Sequence, residues 1–503
     1  MKAAILAIDF GTSSLKAIVY DEVGRRLSTA QRATPVSSPR PGWVEIDMSR
    51  AWDICVTAAS EAIRRADLGS REIVGIGVTA NGAGFWPLNE HGDPTRAAIV
   101  WNDGRAARQI GTWQREGVLD AVFDISGNVM MPGYSVPLLH WTRDHEPEVL
   151  ERTRHLVHPK DWLRFRLTGD MATDESDASL GPFDIRSRSW APEILRLCGL
   201  AEWASLLPPI RGATEAIGRV HPELAELIGL SAGCVVVTGL TDVAASILGA
   251  GAIRAGTACT VIGTTSINSV IRDSCDVAPA YVGQTFATIG HSWIRSLVNT
   301  TGTPNFDWVA RLLFGTTDAP ALRDLERLAQ DAPPASRGLV FHPYLSSAGV
   351  IAPFVNPAAR GNLFGISQYH DRSDVARAVY EGVARATQDC YLAMGEPLGS
   401  VILTGGGSRS EFLCQLLADT LGVPVDVPVD GELGARGAAM VAALGVGMAP
   451  DLETLVREWT GAPTRYLPSQ RDAHDARRLT LYRDIARRLQ GAWASQRGPN
   501  EED

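Results

Sequence analysis

One short pattern occurs twice in this chain, and it constrains the fold more than any other feature. Near the N-terminus the apolar run Ile5-Leu6-Ala7-Ile8 meets the polar turn Gly11-Thr12-Ser13-Ser14 and resumes as Ala17-Ile18-Val19-Tyr20. Far downstream, Thr260-Val261-Ile262 leads into Gly263-Thr264-Thr265-Ser266 and then Ile267 to Ile271. Both read as strand, tight turn, strand. No repeat of about 20–50 residues is visible, which excludes a solenoid. A hairpin used once in each half implies a duplicated design. The 503 residues leave room for it, since two lobes of ~200 residues each are ordinary domain sizes.

The elements between the hairpins alternate. Ile73 to Val78 reads as a strand and Val235-Val236-Val237 as a short buried one, while Ala51 to Ala66 puts Ile54, Ala58 and Ala62 on one helical face. Ser373 is placed to cap a helix with Val375, Val379, Val383 and Ala386 on one side. Ser410 is placed to cap another, with Leu413, Leu416, Leu417 and Leu421 inward and Gly422 as its stop. Alternation of this kind means α/β layers. The lobe boundary is expected near Gly239 to Gly256, giving lobes 1–245 and 246–447 and a helical tail 448–503. That tail should hold a helix from Arg471 to Trp493 and a disordered acidic end.

Composition removes several function classes. A formal charge of −10 leaves no dense basic face for nucleic acid. The seven cysteines are scattered and never spaced C-x-x-C, which argues against a disulfide framework and a thiolate zinc site. Met1 to Tyr20 contains Asp9 and a polar turn, unlike a signal peptide. The most apolar stretch, Cys234 to Ile253, carries Asp242 and is broken by Gly239, Gly249 and Gly251, so a buried strand plus helix is expected instead of a membrane span. A soluble, cytoplasmic protein follows. Lys2, Lys16 and Lys160 are the only lysines, a bias read as compositional.

Glycine-rich segments need sorting. Gly75-Ile-Gly77-Val-Thr-Ala80 fits a dinucleotide fingerprint, but Asn81-Gly82-Ala83-Gly84 follows where a helix should start. No Gly-Lys dipeptide exists, which excludes a Walker A loop. The two hairpin turns offer another phosphate device, because backbone N–H groups and hydroxyls of a small-residue turn converge on an anion. Asp9, just before the first turn, is suited to hold a hydrated Mg²⁺ that bridges phosphate oxygens. Ile402-Leu403-Thr404-Gly405-Gly406-Gly407-Ser408 runs from strand into glycines that would let a flat ligand lie against the backbone.

Here the residues resemble a known family, the FGGY carbohydrate kinases, which include glycerol, xylulose, ribulose and erythritol kinases. The second family signature is matched in full by Gly361-x-Leu363-x-Gly365-Ile366 and, seven residues on, Asp374-Val375-x-x-Ala378-Val379-Tyr380-Glu381. His158-Pro-Lys160-Asp-Trp162-Leu-Arg164 with Thr168-Gly169 resembles the xylulokinase form of the first signature, as does the segment Trp101-Asn102-Asp103-Gly104-Arg105. Gly42-Trp43-Val44-Glu45 is similar to glycerol kinase. The resemblance spans Ile5 to Gly447.

It implies a two-lobed actin-like (ribonuclease H-like) fold with ATP and a small sugar or polyol meeting in the cleft between lobes. By resemblance, Asp9, Gly11, Thr12, Ser13 and Lys16 line the first phosphate turn and Gly263, Thr264 and Thr265 the second. Gly302, Gly405, Gly406 and Ser410 belong to the nucleotide side. Asp242, in Thr238-Gly-Leu-Thr-Asp242, matches the catalytic aspartate of the family. With Thr241 capping the next helix, Asp242 sits at a helix N-terminus, where the dipole favours its ionised form. The expected base is therefore weak, which loose phosphoryl transfer tolerates.

Substrate choice rests on the segment after the Ile73 strand. Xylulokinase-like enzymes have Met-His there and glycerol kinase Arg-Glu, whereas this chain has Asn81-Gly82-Ala83-Gly84-Phe85-Trp86. Gly82 and Ala83 are read as leaving room. The nearest resemblance is to the erythritol and L-xylulose kinase branch, so a ketopentose or a C4–C5 polyol is expected, with glycerol as the alternative. Asn81, Asp103 and Asp242 are the expected hydroxyl partners, with Trp43, Phe85 and Tyr134 as walls. A homodimer is the family default. The rival reading is a non-catalytic actin-like sensor or filament module.

Overall fold

The computed structural model describes residues 2–68, 71–231, 233–469 and 475–496. Strand β1 (Lys2–Phe10) is buried on both faces along most of its length, as a central strand covered by helices must be. It pairs antiparallel with β2 (Ser14–Asp21), placing Asp9 opposite Lys16, and β2 pairs antiparallel with β3 (Arg26–Ala33). On its other side β1 runs parallel to β4 (Arg71–Ala80), and β4 parallel to β5 (Val235–Val237). The order is β3-β2-β1-β4-β5, with Ala216–Arg219 added antiparallel at the edge.

The second half repeats this plan strand for strand. Strands β6 (Thr257–Ile262), β7 (Ser266–Arg272) and β8 (Ser292–Asn299) form the antiparallel part, and β9 (Ser400–Thr404) and β10 (Val425–Val427) the parallel part. The order β8-β7-β6-β9-β10 matches the first sheet in sequence and sense, with Gln284–Thr288 and Thr464–Tyr466 at its edges. The recurring hairpin is thus the start of a duplicated fold.

Helices fill the layers. Helix α1 (Met48–Arg65) is capped by Asp47, which accepts from the Arg50 amide, and buries its small apolar stripe against β2 and β3. Helix α2 (Asp242–Gly249) follows β5 directly. Helix α3 (Arg372–Met394) is capped by Asp371 and not by Ser373: Asp371 accepts the amides of Ser373 and Asp374, and the Asp374 carboxylate accepts the Asp371 amide in return. Ser410 does cap α4 (Glu411–Leu421), and Gly422, in the left-handed region, ends it. Helix α5 (Leu433–Gly445) belongs by sequence to the second half, yet packs on β1 and β4 of the first sheet. Gly75 and Gly77 are the seat for that helix, because a Cβ on Gly77 would lie 2.0 Å from the Ala438 carbonyl oxygen. The tail helix α6 (Asp475–Gln496) overlaps the expected Arg471–Trp493 helix and continues three residues beyond Trp493, while residues 471–474 and the acidic end lie outside the described residues. All seven cysteines are free, and among the described residues no helix is long and apolar enough to cross a membrane.

Among the described residues the lobes meet over two regions, the packing of α5 on α2 and the first sheet, and the insertion between β4 and β5. Helices α2 and α5 cross so closely that a Cβ on Gly437 would lie 1.8 Å from the Ala245 carbonyl. Elsewhere the insertion between β4 and β5 reaches the edge strand Gln284–Thr288. There Asn128 accepts the Thr285 amide (2.7 Å) and donates to the carbonyls of Thr285 (3.0 Å) and Ser179 (2.8 Å). The Ser179 hydroxyl accepts the Ala287 amide at 3.0 Å.

Candidate active site

Both turns leave backbone donors open. The first closes with the Gly11 amide on the Ser14 carbonyl (3.0 Å) and is braced by Thr34, whose hydroxyl donates to the Gly11 carbonyl (2.8 Å). Among the described residues the amides of Thr12 and Ser13 have no partner. The second turn closes with Gly263 on the Thr265 carbonyl (2.8 Å) and likewise leaves the amides of Thr264 and Thr265 open. Two free, neighbouring N–H groups per turn are what an anion nest requires.

Gly302 and Thr303 buttress the second turn, donating to the carbonyls of Thr264 (2.9 Å) and Gly263 (2.7 Å). A Cβ on Gly302 would strike the Gly263 carbonyl at 2.3 Å, so only glycine fits. Gly405 and Gly406 are exposed beside this turn, Gly405 with a φ of +82° and Gly406 within van der Waals reach of Thr303. Ser410 is less available, since its hydroxyl accepts the Leu413 amide as the α4 cap.

Asp9 is the last residue but one of β1, and among the described residues its carboxylate accepts no hydrogen bond. Its carboxylate lies at the first turn of α5, where a Cβ on Gly434 would be 2.8 Å from Oδ2. Burial pushes the Asp9 carboxyl up to about 6, against the pull of Lys16 and with a further push from Glu432. Lys16 is not free, because its Nζ donates to Glu432 Oε2 at 2.7 Å.

Asp242 opens α2. Its Oδ1 accepts the Val243 amide (2.8 Å) and the Thr241 hydroxyl (3.4 Å). Thr241 therefore stands at the cap position but donates to Asp242 and caps nothing. The expected effect of the helix terminus is also overturned. Burial pushes the Asp242 carboxyl up to about 7, helped by the negative charges of Asp9 and then Asp177 and opposed by the Val243 and Thr241 hydrogen bonds. Desolvation outweighs the dipole, and the group is a stronger base than its sequence position suggests.

The acceptor side needs three corrections. Asp103 offers no free carboxylate: Oδ2 accepts the Val44 amide (2.6 Å) and Arg105 Nη2 (2.9 Å), while Oδ1 accepts the amide (2.8 Å) and Nε (2.9 Å) of Arg105. Four donors saturate two carboxylate oxygens. Gly82 does not leave room either. A Cβ there would meet Leu180 at 2.4 Å, Thr241 Oγ1 at 2.8 Å and Asp177 Oδ1 at 3.1 Å, so neighbouring side chains already occupy the space. Ala83, at a φ of +65°, is 1% exposed and belongs to the core. Phe85 and Tyr134 are core residues as well, and Trp43 is stacked on the Arg105 guanidinium at 3.9 Å.

Asn81 behaves otherwise. It is 4% exposed, its backbone is fixed by the Phe10 carbonyl (3.1 Å), and both its side-chain oxygen and nitrogen lack partners. A buried amide with both ends unsatisfied awaits a ligand or water. Trp101, 38% exposed, extends this wall and donates from Nε1 to Thr12 Oγ1 at 2.9 Å.

One group beside Asp242 was not found by sequence reasoning. Asp174, Ser176 and Asp177 are buried around Lys160, which no local periodicity in Thr173-Asp-Glu-Ser-Asp177 indicates. The available signal was Lys160 itself, one of few lysines, followed directly by an aspartate.

Among the described residues no three acidic, histidine or cysteine side chains are grouped to cage a metal. The unpartnered Asp9 carboxylate beside an open phosphate nest fits Mg²⁺, which binds through one or two carboxylates and completes its shell with phosphate oxygens and water.

Comparison with known proteins matches both halves of the chain to family models. The description "FGGY family of carbohydrate kinases, N-terminal domain" matches residues 4–249, and its C-terminal counterpart matches residues 251–446. An erythritol kinase of Brucella abortus (strain 2308) is 32% identical over 96% of this chain and 94% of its own length. A xylulose kinase of Escherichia coli (strain K12) is 33% identical over 96% of this chain and 98% of its own. The crystal structure of a xylulose kinase from Rhodospirillum rubrum superposes with a TM-score of 0.91 at 26% identity, covering 98% of this chain and 100% of that one.

Proposed function

From the premise that the chain belongs to the FGGY family of carbohydrate kinases, we propose that this ATP-dependent kinase phosphorylates an uncharged ketopentose or C4–C5 polyol with Asp242 as general base. The observation that carries the reading is Asp242 itself: a desolvated carboxylate at the start of α2, close enough to Asp9 to feel its charge. The acceptor hydroxyl gives its proton to Asp242 as its oxygen attacks the γ-phosphorus of ATP, and the bond to the β,γ-bridging oxygen breaks. The open amides of Thr12, Ser13, Thr264 and Thr265 neutralise the phosphate oxygens from both lobes. Mg²⁺ held through Asp9 supplies further charge neutralisation when bound. Asn81 is the acceptor-side amide in this reading, and Asp103 serves it only by holding Arg105 and the Val44 backbone. The chain divides as 1–245, 246–447 and 448–503 on the same reading, supported by the two matched family domains.

An uncharged acceptor follows from the partners of the nearby cations. Lys16 is bound to Glu432, Arg105 to Asp103 and Glu45, and Lys160 to three aspartates. None is free to receive a substrate carboxylate, and Asp9 and Asp242 would repel one. A coupled assay should therefore turn over erythritol, xylulose or ribulose and leave gluconate untouched. Gluconate as the preferred substrate would refute the substrate class. Asp242→Asn should lower turnover by about 10³-fold or more with the KM for ATP nearly unchanged, and wild-type turnover in that variant would refute the base.

A further inference from the structure

The turn that carries Asp242 is gripped from outside at nearly every residue. Thr238 donates to the Glu215 carbonyl (3.0 Å) and Gly239 to the Ala213 carbonyl (2.8 Å). The Thr79 hydroxyl donates to the Leu240 carbonyl at 2.8 Å. The Thr241 amide, the last before the base, donates to a side chain, Ser176 Oγ, at 2.9 Å. Ser176 passes its own proton to Asp174 Oδ2 at 2.6 Å, and Asp174 Oδ1 lies 3.1 Å from Lys160 Nζ. That ammonium is fully buried, sits 2.6 Å from Asp161 and 3.2 Å from Asp177, and returns to the same turn by donating to the Thr238 carbonyl at 3.4 Å. The Lys160 stem also packs against Gly239, whose φ of +85° admits no other residue easily. The circuit is closed: Thr238, Lys160, Asp174, Ser176, Thr241.

A buried lysine among three aspartates is a poor way to gain stability, since the desolvation of the ions offsets most of their attraction. Well-packed apolar residues would hold the fold as well. What such a circuit does supply is a fixed position for the groups it ends on, and here both ends lie within the turn that presents Asp242. We propose that Lys160, Asp174 and Ser176 are positioning residues that fix the Thr241 backbone, and through it the Asp242 carboxylate, for proton transfer from the acceptor. Ser176 is the link that touches the turn directly, and neither it nor Asp174 need meet substrate. This rests on Asp242 being the base.

The test uses Ser176, because Lys160→Met would strand three buried aspartates and destabilise the fold itself. Ser176→Ala should lower kcat about 10–100-fold, the scale of a misplaced catalytic group, with the KM for ATP unchanged. Ser176→Thr, which keeps the hydroxyl, should recover most of the loss. In an Asp242→Asn background, adding Ser176→Ala should lower the residual rate no further, because a residue acting through Asp242 has nothing left to position. Wild-type kcat in folded Ser176→Ala, or a full additive loss in the double variant, overturns the proposal. Wild-type turnover in Asp242→Asn alone would instead remove the base on which it rests, so the two failures are distinct.

Discussion

Burial raises the carboxyls of both Asp9 and Asp242, and the negative charge of Asp9 adds to the rise at Asp242. The second turn has no counterpart to Asp9; Val261 stands where Asp9 does, so the acidic, metal-suited hairpin is the first one only. The base must be ionised to act, and with Asp242 pushed up to about 7 activity should fall as pH drops through neutrality. We expect the acid limb of kcat/KM for the acceptor near pH 7, and a limb near pH 4 would contradict a desolvated base. Stability moves the other way. A carboxyl whose folded value is raised contributes stability below its unfolded value, and that contribution is lost as pH rises through the folded value. At pH 8 the native protein carries an ionised, desolvated Asp242, so Asp242→Asn should keep only a small residual rate yet raise the melting temperature. The gain, about 1–2 kcal/mol after solvent screening, should be larger at pH 8 than at pH 5 by calorimetry.

At the level of elements, α2 and α5 approach each other backbone to backbone. A Cβ on Gly437 would lie 1.8 Å from the Ala245 carbonyl, and one on Gly249 2.0 Å from that of Leu433. These neighbours are backbone and cannot swing aside, so Gly437→Ala should destabilise by about 1–3 kcal/mol. Gly491→Ala in α6, where no atom lies within 4 Å, should be neutral or slightly stabilising by the same thermal measurement. Such contacts mark the limit of what the sequence discloses. The hairpins were legible because strand, turn and strand are encoded within a dozen neighbouring residues, and α4 because its cap and stop flank it. The seat of α5 on β4 was not, since Gly75 and Gly77 resemble a nucleotide fingerprint until the helix above them is seen. Ser373 was mistaken for the cap because Asp371 offers the same chemistry two residues earlier. Gly82 was misread because an absent side chain says nothing of what fills its place. The Lys160 circuit was invisible for a related reason: polar residues in an aperiodic run look exposed, and only the tertiary fold buries them.

For the whole molecule, the described residues join the lobes over two separated regions, the packing of α5 on α2 and the first sheet, and the bonds of the insertion, Asn128 among them, to the edge strand Gln284–Thr288. Two joints restrict a rigid-body closure to rotation about the line through both. Closure of this kind matters to a kinase because water competes with the acceptor for the γ-phosphoryl group, and only an acceptor-filled, closed cleft should align the phosphates with the base. Asn128 is well suited to define the axis. It is 5% exposed, it reads both the amide and the carbonyl of Thr285, and it ties that strand to Ser179 beside the Lys160 circuit. Asn128→Ala loosens one joint, leaving the Ser179–Ala287, Val129–Gly283 and Thr285–Gly127 bonds in place, while touching neither phosphate turn nor Asp242. Leaving its backbone partners unpaired should cost about 1–3 kcal/mol. The functional effect should appear in coupling: acceptor-independent ATP hydrolysis should rise about 10-fold relative to phosphoryl transfer, since a second axis lets the turns meet without an aligned acceptor. Measuring ADP release with and without acceptor decides the matter. An unchanged ratio in a folded variant would mean that the helix crossing alone sets the path of closure and that the Asn128 bridge only holds the insertion in place.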